Sequence, residues 1–485
     1  MRLALFLACI ACVLGLRSSS LLAAPPNVLL ITSDDLGLQL GCYGDKVIRT
    51  PNLDALAGRG RLFENAYVAQ ASCSPSRSAM FTGIYPHANG QYGLVNGGFE
   101  LHEPLRKQTI PAVLKAAGYR TGILGKLHVS PEQSFPFDVR LRPNTRDVQL
   151  AAGAAGEFIR DGDKPFFLMA NFADPHVQGR SPRPPAEAFA TQVKGVPEKP
   201  LKVGEVPVFP FQQLETAEQI ERITQYYNAV MRMDTAVGLL LAELQKAGHA
   251  DDTLILFVGD HGPPFFRGKT SCYEGGVKVP MLAVWPGVLK AGERSPALVS
   301  TVDLLPTIVD ACGLQMPAGV QGRSLRHTVE QKEHREFLAT EFHYHGASPF
   351  FPRRSIRDAK YKLIHNIRAG QAKPTSGIDG DSALAQSRQD DKTPSKVKEA
   401  FERAANPPEF ELYDLQSDPW EFEELSTQPA HAETLKRMQE ALMKWRQETS
   451  DPLLTEEGYK RVAAFENIKP AAPRRPAQNT TPGAK

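Results

Sequence analysis

The stretch Cys73-Ser74-Pro75-Ser76-Arg77 holds the densest chemistry in the chain. Pro75 can stand in a first helical turn, where its missing N–H costs nothing. The spacing therefore predicts a helix opening beside Cys73 and running on through Ser76 to Met80. A thiol there meets free backbone N–H groups and the positive end of the helix dipole, which favour the thiolate. Arg77, four residues on, points back to the same spot. Cys73 is thus a candidate nucleophile beside a fixed cation. Asn27 to Ser33 is an apolar run rich in β-branched residues, and it ends in Asp34-Asp35. Adjacent carboxylates closing a buried strand are costly unless something pairs with them. A hard divalent cation is the natural partner. Asp252 to Gly259 reads the same way and ends in Asp260-His261. One cation held by Asp34, Asp35, Asp260 and His261 is the expected site. Gly122 to His128 reads as a short strand ending in a Lys-x-His pair, and strand spacing puts Lys126 and His128 on one face. Cations aimed at one point suit a tetrahedral oxyanion. His176 follows another buried strand, Pro165 to Phe172.

The elements that must position these groups are buried strands. Continuous apolar runs suit parallel strands covered on both faces. Open sheets of this class place ligands at the C-terminal edge, where all of these polar residues fall. Thr50 to Ala57 reads as a capped helix and Gln225 to Gly248 as a long amphipathic one stopped by glycine. Val279 to Trp285 reads as a further strand and Val299 to Cys312 as helical. Residues 177–222, rich in Pro and Gly, read as a functional loop at the substrate rim. Beyond Gly319 to Leu325 the composition changes. Tyr361 to His365 and Phe410 to Leu415 alternate like strands of a small antiparallel sheet. Residues 373–408 are polar and poorly patterned. Ala430 to Thr449 reads as a closing helix.

The chain has 485 residues, 42% hydrophobic and 23% charged, enough for a large core and a second domain. A net charge of +2 gives no case for nucleic acid. Arg2, the apolar run Leu3 to Leu16 and the small pair Ala23-Ala24 read as a secretory signal, too short for a transmembrane helix. Secretion or export to a periplasm follows. Cys9 and Cys12 leave with that segment. Cys42, Cys73, Cys272 and Cys312 remain, too few for a dense disulfide framework, with one bridge left open.

The D-D-x-G strand end at Asp34, the helix Thr50-Pro51-Asn52-Leu53-Asp54-Ala55-Leu56-Ala57 and the C-x-P-x-R motif at Cys73 together resemble the type I sulfatases of the alkaline-phosphatase-like superfamily. The resemblance covers about residues 26–455. It implies an α/β fold: an alkaline-phosphatase-like sandwich with a large, mainly parallel mixed sheet flanked by helices, and a smaller C-terminal α+β domain with an antiparallel sheet. It also implies that Cys73 is oxidised after translation to formylglycine, whose hydrate attacks sulfur. Arg77, Lys126 and Lys269 would neutralise the sulfate. His128 would serve the formylglycine hydroxyl, and His176 would be the second catalytic histidine. Cys73 would join the metal set as the modified residue. Two positions depart from the family pattern. His261 stands where many members carry Asn, and Ala173 precedes Asp174. Calcium is expected first, with manganese or magnesium next because the imidazole of His261 suits softer cations.

Within that family, His87 to Leu94, Gly125 to Val129, Phe135 to Asp138, Glu411 to Asp414 and Lys444 to Thr449 resemble the heparan N-sulfatases. The implied reaction is exo-cleavage of a terminal N-sulfoglucosamine. His176, Glu341 and His343 are the expected sugar contacts, the last two because a charged, His-rich turn opens the second domain. Other readings are an O-sulfatase on another glycan or aryl sulfate, and a phosphodiesterase or phosphonate hydrolase. A glycan-binding protein without activity would require unmodified Cys73. Cysteine at the nucleophile position speaks against phosphatases that use Ser or Thr. The expected divisions are a signal at 1–24, a catalytic domain at 25–340, a C-terminal subdomain at 341–455 and a disordered tail at 456–485. Expected partners are a sulfated glycan and a formylglycine-generating, sulfatase-maturing enzyme. A homodimer is left open.

Overall fold

The computed structural model describes residues 25–178, 189–190, 194–195, 197, 199–330, 334–375 and 377–467. The expected signal segment and parts of the 177–222 loop lie outside them.

Eight strands form the large sheet: β1 (Asn27–Ser33), β2 (Arg61–Tyr67), β3 (Arg120–Gly125), β4 (Val139–Leu141), β5 (Phe166–Phe172), β6 (Thr253–Gly259), β7 (Met281–Val284) and β8 (Glu293–Ser300). Their order is β4-β3-β5-β1-β6-β7-β2-β8. Every neighbouring pair is parallel except the two made by β7, with β6 and with β2. The expected mainly parallel, mixed sheet is therefore present. β1 lies inside the sheet with all of its residues buried. Leu29 and Ile31 face one apolar layer, shared with the helices Pro51–Arg59, Val148–Arg160 and Ala217–Lys246. Val28 and Leu30 face the other, shared with Ile110–Ala116 and Leu304–Ala311. Successive side chains on a strand point to opposite faces, so a strand covered on both sides must be apolar throughout.

Two element boundaries differ from the sequence reading for local reasons. The long helix begins at Ala217, because the Thr216 side chain accepts from the backbone N–H of Gln219 and caps it there. Val299 and Ser300 end β8. The following turn, Thr301–Asp303, is closed by a capping box between Ser300 and Asp303. β2 and β8 escaped the sequence reading because both mix charged and apolar residues.

The second sheet is antiparallel, ordered β12-β11-β10-β9, from β9 (Leu338–Phe342), β10 (Arg353–Arg357), β11 (Tyr361–Asn366) and β12 (Phe410–Asp414). The helix Ala432–Glu448 covers one face, with Met438 and Leu442 against Ile356, Leu363 and Leu412. The unpatterned stretch 373–408 holds the helices Ala383–Gln389 and Ser395–Ala405. Val397 and Phe401 pack with Ile364 and Tyr413, and also with Phe266 and Tyr273 of the large domain. The boundary expected at residue 340 falls inside β9. Gln70 pairs there with Glu341 in an isolated bridge, so the two domains are joined where the division was placed.

Residues 456–467 are not a disordered tail. Thr455 caps a helix at Glu456–Ala463, and Tyr459, Val462 and Phe465 pack on Tyr344 and Phe350. Residues 468–485 lie outside the described ones. Cys42, Cys73, Cys272 and Cys312 are free. No helix among the described residues is long and apolar enough to cross a membrane.

Truncation after Thr455 should therefore cost about 3 kcal/mol of stability, from re-exposing the apolar surface these side chains cover. Denaturant unfolding of the shortened chain measures it. An unchanged midpoint would mean that the segment does not contribute.

Candidate active site

The C-terminal edge of the large sheet gathers the chemistry. β1 delivers Asp34 and Asp35, β5 delivers Asp174 and His176, and β6 delivers Asp260 and His261. After β2 the chain turns into a helix at Cys73–Thr82 with Ser72 at its N-cap, so Cys73 is its first residue. Every residue of that helix is buried. Lys126 and His128 do not share a strand face as their spacing implied. β3 stops at Gly125, which has φ +78°, and a Cβ there would lie 2.4 Å from the Asn171 carbonyl oxygen. Only glycine fits such a position. The chain bends, and the two side chains converge by another route. Lys126 Nζ lies 2.7 Å from Asp34 Oδ2, and His128 lies beside the Cys73 thiol.

The ligand atoms of Asp34, Asp35, Cys73 and His261 all lie within 4.8 Å of one another. The Cys73 thiol donates to Asp34 Oδ1 at 3.6 Å and sits 3.3 Å from His261 Nε2. His261 Nε2 is 3.3 Å from Asp35 Oδ1. Asp260, the fifth expected ligand, borders this group. Its Oδ1 accepts from the Asp35 backbone N–H at 2.9 Å and its Oδ2 from Arg77 Nε at 3.0 Å. Arg77 is wholly buried, and its Nη1 also donates to Asn171 Oδ1 at 3.0 Å. Lys269 Nζ reaches Asp35 Oδ1 at 2.9 Å. His176 Nε2 stands 3.9 Å from Asp35 Oδ2.

Asp35 tests whether a cation fits. Both of its carboxylate oxygens are buried and accept no well-aligned hydrogen bond among the described residues, and its close cationic partner is Lys269 at Oδ1. Burial pushes its carboxyl up despite Lys269, and pushes Asp260 up to about 7, with Asp34 adding repulsion. Carboxylates this crowded ionise together only with positive charge between them. Oxygen ligands with one imidazole fit a divalent cation. The Cys73 thiol is held well below its usual range. Burial alone would raise it, but Lys126, Lys269 and His261 more than offset that. Burial would lower His176, yet Asp35 and Asp34 raise it to about 10. Burial lowers His128, with Lys126 adding to it. The two histidines therefore divide into a proton holder and a neutral acceptor.

Glu341 and His343 are not sugar contacts, nor are they a solvated loop. Both are wholly buried. Glu341 Oε2 meets His87 Nδ1 at 2.6 Å and Arg354 Nε at 3.6 Å. His343 lies between Gln70 Oε1 and Arg354 Nη2. β9 runs inward at this point, so the charged turn is domain glue. The residue that does turn toward the site is His345, whose Nδ1 is 2.9 Å from Ser72 Oγ. Burial and Lys269 press it down to about 3. The sequence reading also missed Asp379, 2.8 Å from Lys269 Nζ. It lies in the stretch without pattern, and only its turn-forming Gly380 signalled anything.

The sulfatase family profile matches residues 26–314, and the profile described as "N-sulphoglucosamine sulphohydrolase, C-terminal" matches residues 259–406. The human N-sulphoglucosamine sulphohydrolase is 34% identical over 474 residues, covering 89% of this chain and 91% of that one. The chain belongs to the sulfatase family. It is an enzyme of that class. Human arylsulfatase A is 33% identical over 350 residues, 63% of this sulfatase and 67% of that one. Among solved structures, one in complex with its substrate D-glucosamine-2-N,6-O-disulfate shares the fold at TM-score 0.64 and 20% identity, covering 88% of this chain and 98% of that one. A phosphonate monoester hydrolase of Agrobacterium radiobacter shares it at TM-score 0.63 and 21% identity, covering 87% and 96%.

Two outcomes are expected of this site in the sulfatase. Adding calcium, manganese or magnesium at a hundredfold excess over Kd should raise stability by about 2.7 kcal/mol. The rise should vanish in Asp34→Asn/Asp35→Asn, and an equal rise in that variant would remove the site. Glu341→Gln should cost about 3 kcal/mol, because it unbalances a buried ion pair. Glu341 is held at about 2, against an ordinary 4.5, because His87 and Arg354 more than offset the effect of burial. Its stabilising contribution is full above pH 4.5 and is lost as pH falls toward 2. Wild type and Glu341→Gln should therefore converge in acid, with KM unchanged. A raised KM at unchanged stability would restore the sugar-contact role.

Proposed function

We propose that this sulfatase is an exo-acting N-sulfoglucosamine sulfohydrolase on heparin-type glycans, with Cys73 matured to formylglycine by a separate enzyme, and that it works in a secreted or periplasmic setting. The match over nine-tenths of both chains to the human N-sulphoglucosamine sulphohydrolase carries the substrate class. The cation-ringed Cys73 supports the reaction. Buried at a helix N-terminus beside the carboxylate cluster, residue 73 suits a group that must ionise. When present, the formylglycine hydrate supplies two geminal hydroxyls, one to take the sulfuryl group and one to expel it. A divalent cation, calcium first, with manganese and magnesium as alternatives, would be held by Asp34, Asp35, His261 and residue 73, with Asp260 alongside. It would supply Lewis acidity at a sulfate oxygen.

The remaining work falls to the chain's own side chains. Arg77, fixed by Asp260 and Asn171, holds its charge toward residue 73 without freedom to turn away. Lys126 and Lys269 flank the cluster through Asp34 and Asp35 and offer N–H donors to the sulfate oxygens. His128 lies beside residue 73 and burial favours its neutral form, which suits it to take the proton of the attacking hydroxyl. His176, kept protonated, is placed to give a proton to the departing amine or alcohol.

A phosphonate hydrolase is the second reading, favoured by the shared fold and by the likeness of two tetrahedral anions. Peptide mass at Cys73 and a substrate panel separate these readings. The expected result is loss of the thiol mass, with sulfate released from N-sulfoglucosamine in preference to glucosamine 6-sulfate or an aryl sulfate. Full activity with a free thiol at Cys73 would refute the mechanism. Turnover of the 6-sulfate alone would refute the N-sulfate assignment, and turnover of phosphonate esters alone would favour the second reading.

A further inference from the structure

We propose that Asp379 is a specificity-determining residue whose carboxylate accepts hydrogen bonds from the hydroxyl groups of a sugar bound with its sulfate at residue 73. The inference rests on the sulfatase reading above and concerns how the same site distinguishes a sugar from other sulfate esters.

Asp379 comes from the second domain, yet its Oδ2 lies 2.8 Å from Lys269 Nζ, which also reaches Asp35 Oδ1 at 2.9 Å. Ligand atoms of Asp35, His176 and Asp379 lie within 4.8 Å of one another. That trio is not a second metal site, because the buried Lys269 ammonium already bridges Asp35 and Asp379. The Asp379 side chain keeps 21% of its surface exposed, whereas Asp35 keeps none. Its other oxygen, Oδ1, accepts no hydrogen bond from a described residue.

The surroundings define what that oxygen can meet. The groups set to contact a sulfate are cationic: Arg77, Lys126, Lys269 and His176. The effect of burial on the Asp379 carboxyl is more than offset by Lys269, with His176 adding to it, which favours the ionised form. A fixed carboxylate repels sulfate oxygens and carboxylates alike, so it must face hydrogen-bond donors. A sugar offers ring hydroxyls near its sulfated position, such as the 3-hydroxyl beside an N-sulfate, and 4-nitrophenyl sulfate offers none. A site built to bond a hydroxyl discriminates strongly against a substrate that lacks it.

The carboxylate is also preorganised. Asp379 has φ +52° and Gly380 φ +82°, a turn closed by Asp381 N–H to the Ile378 carbonyl at 2.9 Å. Arg222 Nη2 donates to the Asp379 carbonyl at 2.9 Å and also to the Pro264 carbonyl at 3.2 Å. The buried Asp381 accepts from the Phe266 backbone N–H at 2.5 Å. The turn is thereby pinned to the same 263–269 segment that carries Lys269. Left-handed backbone at a non-glycine residue persists only where its surroundings impose it.

The test is kcat/KM of wild type, Asp379→Asn and Asp379→Ala on N-sulfoglucosamine, glucosamine 6-sulfate and 4-nitrophenyl sulfate, with thermal unfolding as the control for folding. A hydrogen bond to a charged group corresponds to about 30-fold in rate. Both variants should lower the sugar-to-aryl ratio by about that factor, mostly through KM. An equal fall on all three substrates would overturn the proposal and leave Asp379 as a positioning residue for Lys269. An unchanged ratio at unchanged rates would overturn it as well. Wild-type enzyme that turns over the aryl sulfate and neither sugar would overturn the sugar reading itself, and the inference with it.

Discussion

Burying three carboxylates at one sheet edge is the constraint on which this structure depends. Asp34, Asp35 and Asp260 are 2% exposed or less. Ionised carboxylates are costly in a dry interior unless positive charge meets them with good geometry. The fold answers with side chains from four separate places: Arg77 from the helix Cys73–Thr82, Lys126 after β3, Lys269 after β6, and His261 beside Asp260. The same compensation makes the site chemically useful. In the proposed mechanism, cations aimed at carboxylates around Cys73 are already placed for sulfate oxygens, so little reorganisation remains when substrate arrives. Deleting any one of these charges would leave its partners buried and unpaired. The cluster therefore links stability to catalysis.

A second set of buried charges fastens the small domain in place. Lys362 of β11 lies 3.0 Å from Glu274 and 2.8 Å from Glu421. Arg357 of β10 reaches Glu274 and hydrogen-bonds the Tyr67 hydroxyl. Burial pushes Glu421 up to about 7, whereas Lys362 and Arg357 outweigh burial at Glu274 and hold it at about 2. Nearer the site, Arg354 joins Glu341 and Asp451, and Glu341 joins His87. Replacing one member of such a network by an apolar residue strands the others, which makes the register between domains specific as well as stable. That register lets a turn of the small domain place Asp379 against Lys269 within hydrogen-bond reach.

The parts legible in the sequence were those with one-dimensional signatures. β1, β5 and β6 announced themselves as apolar runs, and each ended in the polar residues that now line the edge. Cys73 and Arg77 were legible through helix-start chemistry and spacing. Lys126 and His128 were found for the wrong geometric reason, since Gly125 breaks the strand before either. Glu341 and His343 stood out as a charged, His-rich turn opening the second domain, a pattern that reads as surface. That inference fails where a strand end is driven into a domain interface and every charge finds a buried partner. His345 lies only two residues on, but the bend after Phe342 that separates its surroundings from those of His343 leaves no periodic trace. Asp379 was invisible because its placement depends on Arg222 and Phe266, more than one hundred residues away in sequence.

These two origins of the site residues imply a division of labour. In the proposed mechanism every group that contacts the sulfate belongs to the large domain, on the helix that opens at Cys73 or on segments that follow the buried strands β3, β5 and β6. The side chains that reach the site from the small domain, Asp379 and His345, come from turns rather than strands. A turn can change sequence without disturbing a ladder of backbone hydrogen bonds, whereas a shift at β1 or β6 would move the whole carboxylate cluster. On the proposed reading, the sulfuryl chemistry is thereby held rigid while the groups that would meet the rest of the substrate remain free to vary. Family members with the same fold can then differ in substrate without altering the sheet edge.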